Sequence, residues 1–207
     1  MRAVDPATAM AIASGAVVPR DFLWLVPRNR DTGAEVPIGF WSDAGTVEAI
    51  VIDPETDLPV ARPYVGAGDL VSVGAVPLAA GFAVQTVPIT LSQITPGAAM
   101  AVRGYDLRRA LVELHRGYLD PVSGLLVGPA LPWFTGEIDD APITTPAEGD
   151  EGAIRLTAVS HAQELSRTNP AKRSDADQRE RSATDGFYQH AATVGSWRIY
   201  WGQEGDD

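Results

Sequence analysis

Residues Met100–Tyr118, MAVRGYDLRRALVELHRGY, decide between a helical and a β reading of this chain. Leu107, Leu111 and Leu114 fall at helical spacing. Yet Ala110, Val112 and Leu114 also alternate with Leu111, Glu113 and His115 in the period of two that marks a half-buried strand. Gly104 and Gly117 limit a helix from either end. A short turn at Tyr105–Arg108 followed by a strand resolves the conflict. Tyr118-Leu119-Asp120-Pro121-Val122-Ser123-Gly124 then supplies a natural loop into a further strand, Leu125–Val127.

Working outward, the same β pattern recurs. Phe22–Val26 and Val36–Trp41 are apolar runs joined by Arg28-Asn29-Arg30-Asp31-Thr32-Gly33, a hairpin-like connection. Val47–Ile52 runs into a turn at Asp53-Pro54-Glu55-Thr56-Asp57, and Arg62–Gly68 and Leu70–Val73 read as short strands. In Phe82–Ile94, Val87, Ile89 and Leu91 share one face, and Pro88 favours an edge or bulge position. Trp133–Ile138 and Ile154–Val159 complete the strands, and His161–Arg167 has room for one or two helical turns before Asn169-Pro170. At the other end, Asp5-Pro6 caps a short alanine-rich helix over Ala7–Ser14, which Gly15 ends.

About ten short strands punctuated by turns predict a mainly β fold, a β-barrel or folded sandwich with short helices at the N-terminus and near the C-terminus. The expected organisation is an N-terminal helix and lead-in over residues 1–20, a β-rich domain over 21–165 with a soft boundary near 74–81, and a C-terminal docking segment over 166–207.

Composition narrows the function classes. With 45% hydrophobic and 21% charged residues, the 207-residue chain lies outside the disordered regime and is long enough to bury a core. It has no cysteine, which excludes disulfides, thiolate zinc sites and cysteine-ligated iron–sulfur clusters. A formal net charge of −11 argues against specific nucleic-acid binding, which depends on basic groups displacing counterions. Lining a channel, the same charge would repel passing phosphates. Residues 1–15 lack the basic and apolar regions of a secretory signal. The weakly polar run Val71–Val84 is broken by Gly74, Pro77 and Gly81 and is too short to span a bilayer.

Catalytic patterns are thin. His115 lies between Glu113 and Arg116, but adjacent strand residues face opposite sides. His161 and Glu164 are spaced as half of a helical metal site, with no further ligands indicated, and His190 sits beside an aromatic run. Glu137, Asp139 and Asp140 contain the carboxylates that glycoside cleavage would need, although local spacing does not place two across a sugar groove. None of GxSxG, HExxH, GxGxxG or GxxxxGK[ST] occurs. The expectation is therefore a non-enzymatic chain with no catalytic, cofactor-binding or metal-binding residues.

The segment Ser174–Gly202, SDADQRERSATDGFYQHAATVGSWRIYWG, points elsewhere. Ser174 is a helix cap with Asp177 three residues on. Thr184-Asp185 starts a second helical pattern carrying Phe187, Tyr188, Ala191 and Ala192, and Gly195 stops it. Trp197, Ile199 and Trp201 then alternate with Ser196, Arg198 and Tyr200 as a strand would. Such a segment is suited to docking, with Arg181, Phe187, Tyr188, Trp197, Ile199 and Trp201 as the interface candidates, since Trp, Tyr and Arg dominate many interfaces.

The spacing of Ser174, Asp175, Gln178, Arg181, Asp185 and Phe187, then Trp201-Gly202, resembles the tail hub or tail-tip proteins of lambda-like long-tailed bacteriophages and gene transfer agents. Tyr64-Val65-Gly66-Ala67-Gly68, Thr90-Leu91-Ser92 and Phe134-Thr135-Gly136-Glu137-Ile138 fit the same family. The resemblance implies β-barrel hub domains in a homo-oligomeric ring, commonly a trimer, placed in the virion tail after assembly in the host cytoplasm. It also implies contact with the distal tail protein, the tape measure protein and other tail-tip or fibre proteins. The alternatives are a carbohydrate- or receptor-binding β-module of a phage tail, and a cell-wall hydrolase domain acting through Glu137 or Asp139.

Overall fold

The computed structural model describes residues 4–67, 70–76, 83–92, 104–144, 153–162, 172–198 and 202. The chain divides into two compact units, residues 1–166 and 167–207.

The first unit opens with helix α1 (Pro6–Ser14), where Asp5 Oδ2 accepts from the Thr8 amide at 3.0 Å and Gly15 closes the last turn at φ 72°. Ten strands follow among the described residues: β1 (Val18–Asn29), β2 (Ile38–Trp41), β3 (Ala44–Ile52), β4 (Pro59–Ala67), β5 (Leu70–Val73), β6 (Thr86–Ser92), β7 (Tyr105–Leu119), β8 (Leu131–Asp140), β9 (Ile143–Thr144) and β10 (Ala153–Ser160). They form one sheet in the order β3-β4-β2-β1-β7-β8-β10-β6-β5, with β9 pairing on β10. Among the described strands only β2 and β4 run parallel, through Phe40 and Val65, so the sheet is mixed. The mainly β expectation holds.

The stretch that decides the fold becomes the central strand β7, held between β1 and β8. The turn expected at Tyr105–Arg108 is instead a bulge inside that strand. Arg28 pairs with Asp106 and Val26 with Leu111, so Leu107–Ala110 lie opposite Pro27, with Arg109 in the left-handed region at φ 58°. Pro27 has no amide hydrogen to offer a ladder, so excess chain opposite it interrupts little pairing. Leu125–Val127 forms no strand. It follows β7 through a bridge between Leu119 and Leu126, after a turn in which Asp120 Oδ1 accepts from the Val122 and Ser123 amides.

Strands β1 and β7 are buried on both faces along their middle stretches, whereas β8 keeps one buried and one half-buried face. On one face Leu23 and Leu25 of β1 pack with Val112 and Leu114 of β7 and with Ile89, Leu91 and Leu156. On the other Phe22, Trp41, Val51, Tyr64, Leu119 and Ala130 form a second cluster. Each fully buried side chain of this size contributes about 1.5–3 kcal/mol. In β6 the predicted Val87, Ile89 and Leu91 face is buried, but Pro88 lies between β10 and β5 and not at an edge. Its carbonyl accepts from the Gly74 amide, just past the end of β5, so its missing N–H falls where that short strand has stopped.

At the far end of the sheet, β3 curls back to the residue before β8. The Ile52 amide donates to the Ala130 carbonyl and the Ala130 amide to the Ile50 carbonyl, both at 2.9 Å. One bridge, Val51 with Ala130, spans this seam, so no continuous ladder closes the sheet among the described residues.

The second unit contains helix α2 (Asp175–Arg181), capped by Ser174 as its sequence predicts, with the Asp177 amide donating to Ser174 Oγ at 3.3 Å. The second helix expected from Thr184 is absent: the chain turns repeatedly up to a 3₁₀ turn at Val194–Ser196. Asp185 Oδ1 accepts from the Phe187 amide at 2.9 Å, a local bond that competes with helix propagation, and Gly186 lowers helix propensity further.

Candidate docking surfaces

The interface candidates fall in this second unit. Arg181 is exposed and pairs with Asp177 one turn back at 3.0 Å, so its charge is already answered within α2. Phe187 is 79% exposed and meets Tyr188 edge-on at 5.0 Å between ring centroids. Trp197 is 49% exposed and lies against the His190 ring at 5.0 Å. The structure thus gathers the aromatics into two pairs: Phe187 with Tyr188, and Trp197 with His190. Trp197 and Arg198 do not enter a strand, while Ile199 and Trp201 lie outside the described residues. No described residue of 172–198 is buried. A stretch with Phe, Tyr, Trp and Val194 at its surface and no interior of its own has the composition of a contact surface.

The first unit carries a separate feature at its seam. Between β3 and the loop 124–129 lies an apolar cleft of about 400 Å³, floored by Phe22, Trp41, Leu119 and Leu126 and flanked by Val47, Glu48 and Ile50. This is within the range of about 300–1,000 Å³ typical of binding pockets. The cleft opens beside an edge of β3 that pairs with no strand among the described residues, its other side being taken by β4.

The first unit also holds a charged cluster that spacing along the chain does not reveal. Arg62 on β4 donates to Glu113 on β7 at 2.5 Å and to Asp53 in the β3–β4 turn at 2.8 Å, and its guanidinium lies 4.9 Å from the Trp24 ring centroid. His115 Nε2 is 3.0 Å from the Ile52 carbonyl oxygen, which can only accept, so Nε2 carries a proton. The same nitrogen is 3.7 Å from Glu113. Burial pushes the Glu113 carboxyl up against the opposing pull of Arg62. Asp53 moves down, chiefly because the Thr56 amide donates to it. Burial also raises the Tyr64 phenol alongside. Glu113 and His115 are two apart and so share a face of β7, as do their partners opposite, Trp24 and Phe22 on β1. The readable signal was that pair of polar residues two apart in an otherwise apolar run. Arg62 could not be foreseen, because only the fold brings it there.

The remaining chemical candidates are dispersed. Glu137 is held by Arg109 at 3.2 Å, and Asp140 Oδ1 accepts from the Ala141 amide. His161 stands at the end of β10, and Glu164 lies outside the described residues. Among the described residues, no three His, Asp or Glu side chains gather as a metal site would require. None of the described helices is long and apolar enough to cross a membrane. No protein-family model matches the chain, and no curated protein matches it in sequence.

Proposed function

We propose that the chain is a structural, non-enzymatic subunit of a long-tailed phage tail tip, a hub or baseplate protein joining the tail tube and distal tail protein to the distal tip. In this reading it forms a homo-oligomeric ring, commonly trimeric, in the virion, and its net charge of −11 keeps passing DNA from adhering. The observation that carries the proposal is the 172–198 stretch, where Phe187 and Trp197 stand exposed and no described residue is buried. Evolved surfaces of that kind are covered in the working assembly. The resemblance of Ser174–Phe187 and Trp201-Gly202 to tail hub proteins names the assembly.

The test is light scattering of the purified full chain, alone and with a distal tail protein and a tape measure protein encoded beside it. Ring formation or a stable complex with either supports the reading. A monomer indifferent to every tail component overturns it.

A further inference from the structure

We propose that the cleft beside β3 receives the Ser196–Gly202 segment of a second copy of this chain as an added strand. The proposal rests on the hub reading and specifies how its ring is joined.

The edge of β3 supplies the backbone. Ile50 and Ile52 direct their carbonyl and amide to Ala130 across the seam. Backbone groups alternate sides along a strand, so Thr46 and Glu48 aim theirs along the same edge, while Val47, Ala49 and Val51 direct theirs to β4. Beyond Ala130 that edge has no strand partner among the described residues. An incoming strand would continue the pairing that the Ala130 bridge begins and remove an exposed edge.

The side-chain pattern fits the same placement. SWRIYWG has period two in sequence, so as an added strand it would present Trp197, Ile199 and Trp201 on one face and Arg198 and Tyr200 on the other. Laid along β3, its apolar face covers the floor of Phe22, Trp41, Leu119 and Leu126. Arg198 then takes the outward face. That is the face carrying the exposed Glu48, whereas Val47 and Ala49 turn inward with the second core cluster. A register slip of one residue would drive Arg198 into the apolar floor and strand the tryptophans in water, so the pairing is specific. Cleft and segment are different patches of one chain, which makes the contact head-to-tail, the kind that closes into a ring when its rotation closes.

The chain has no cysteine, so cross-links can be placed without background. Full-length Glu48→Cys and Arg198→Cys variants, purified separately, mixed and oxidised, should yield a disulfide-linked dimer at least tenfold more abundant than either variant gives alone. Glu48→Arg should weaken self-association at least tenfold by sedimentation velocity, and the Glu48→Arg/Arg198→Glu double variant should restore it. If the Glu48→Cys/Arg198→Cys double variant closes a bridge within one chain while the mixture stays unlinked, the cleft belongs to the chain's own segment and the second copy is ruled out. If neither cross-links and both charge variants associate like the parent, the cleft is not the joint. A chain that still binds a tail partner in that case keeps the hub reading and loses only this contact. A cross-linked ring that ignores every tail component does the reverse.

Discussion

Around Arg62 the chain seals charges inside the protein; between Ser174 and Arg198 it leaves aromatic rings outside. Each arrangement inverts the usual disposition of its residue type, and the two do so for different reasons. The charges are tolerable because every strand around them is fixed: Arg62 answers Glu113 and Asp53 at once, and Trp24 covers its guanidinium. The rings lack any such frame. Helix α2 has seven residues, short of the roughly 12–15 an isolated helix needs in water, and none of them is buried. The first region is a solved packing problem, and the second, in the docking reading proposed above, is completed by another surface.

The sharpest way to break this contrast is to remove the buried cation. Arg62→Met strips the buried Glu113 carboxyl of its cationic partner in an apolar interior, and unfolding in urea should show a loss of about 3–5 kcal/mol. Adding Glu113→Leu to that variant should recover most of the loss, because an apolar pair replaces a broken ion pair. A single variant as stable as the parent would mean that the cluster is not closed to water.

A smaller loss should follow from filling space in the same unit. Gly136 lies where β8 meets β10, and a methyl group on its Cα would overlap the Val159 carbonyl oxygen. Gly136→Ala should therefore lower stability by about 1–3 kcal/mol in the same assay, the usual range for overpacking. Equal stability would show that β10 can move aside.

These sites also show what could be read without coordinates. Strand β7 was legible because Ala110, Val112 and Leu114 alternate, and so were Asp5, Ser174 and the Asp53 turn, because caps and turns are local. The bulge at Arg109 was not, since it depends on Pro27 of a strand some eighty positions earlier having no hydrogen to offer. Nor was the Arg62–Glu113 pair, which joins β4 to β7 only after β1 and β2 have taken their places between them. Near the C-terminus the helical spacing of Phe187, Tyr188, Ala191 and Ala192 was genuine, but the Asp185 carboxylate captures the Phe187 amide and the pattern goes unused. Periodicity reports what a segment can bury, and competing local bonds decide whether it does.

The charged cluster also sets a pH signature with two opposite parts. Asp53 is shifted below its ordinary 3.8, so its contribution is present above that value and is lost as the pH falls. Glu113 is shifted above 4.5, so its protonated form favours the fold, and that contribution declines as the pH rises from 4.5 through its folded value. Glu113→Gln removes the declining part. Its stability, measured by urea unfolding at a series of pH values, should rise more steeply with pH above 4.5 than that of the parent. Parallel profiles would mean that Glu113 titrates as an exposed carboxylate.

The least change in stability is expected where the rings are exposed, and here the contrast becomes functional. Phe187→Ala and Trp197→Ala remove no buried contact, so each should alter the unfolding free energy by no more than about 0.5 kcal/mol. If these rings anchor an interface, the same substitutions should weaken self-association or partner binding by tenfold or more, equivalent to about 1.4 kcal/mol. On the docking reading stability and association therefore separate: an Arg62 variant loses stability, whereas a Trp197 variant loses association alone. Trp197→Phe sharpens the point, since it keeps most of the apolar surface and should retain more binding than Trp197→Ala. Should Trp197→Ala instead unfold the chain by several kcal/mol, the ring would be part of a packed interior, and the reading of the C-terminal unit as a docking element would fail with it.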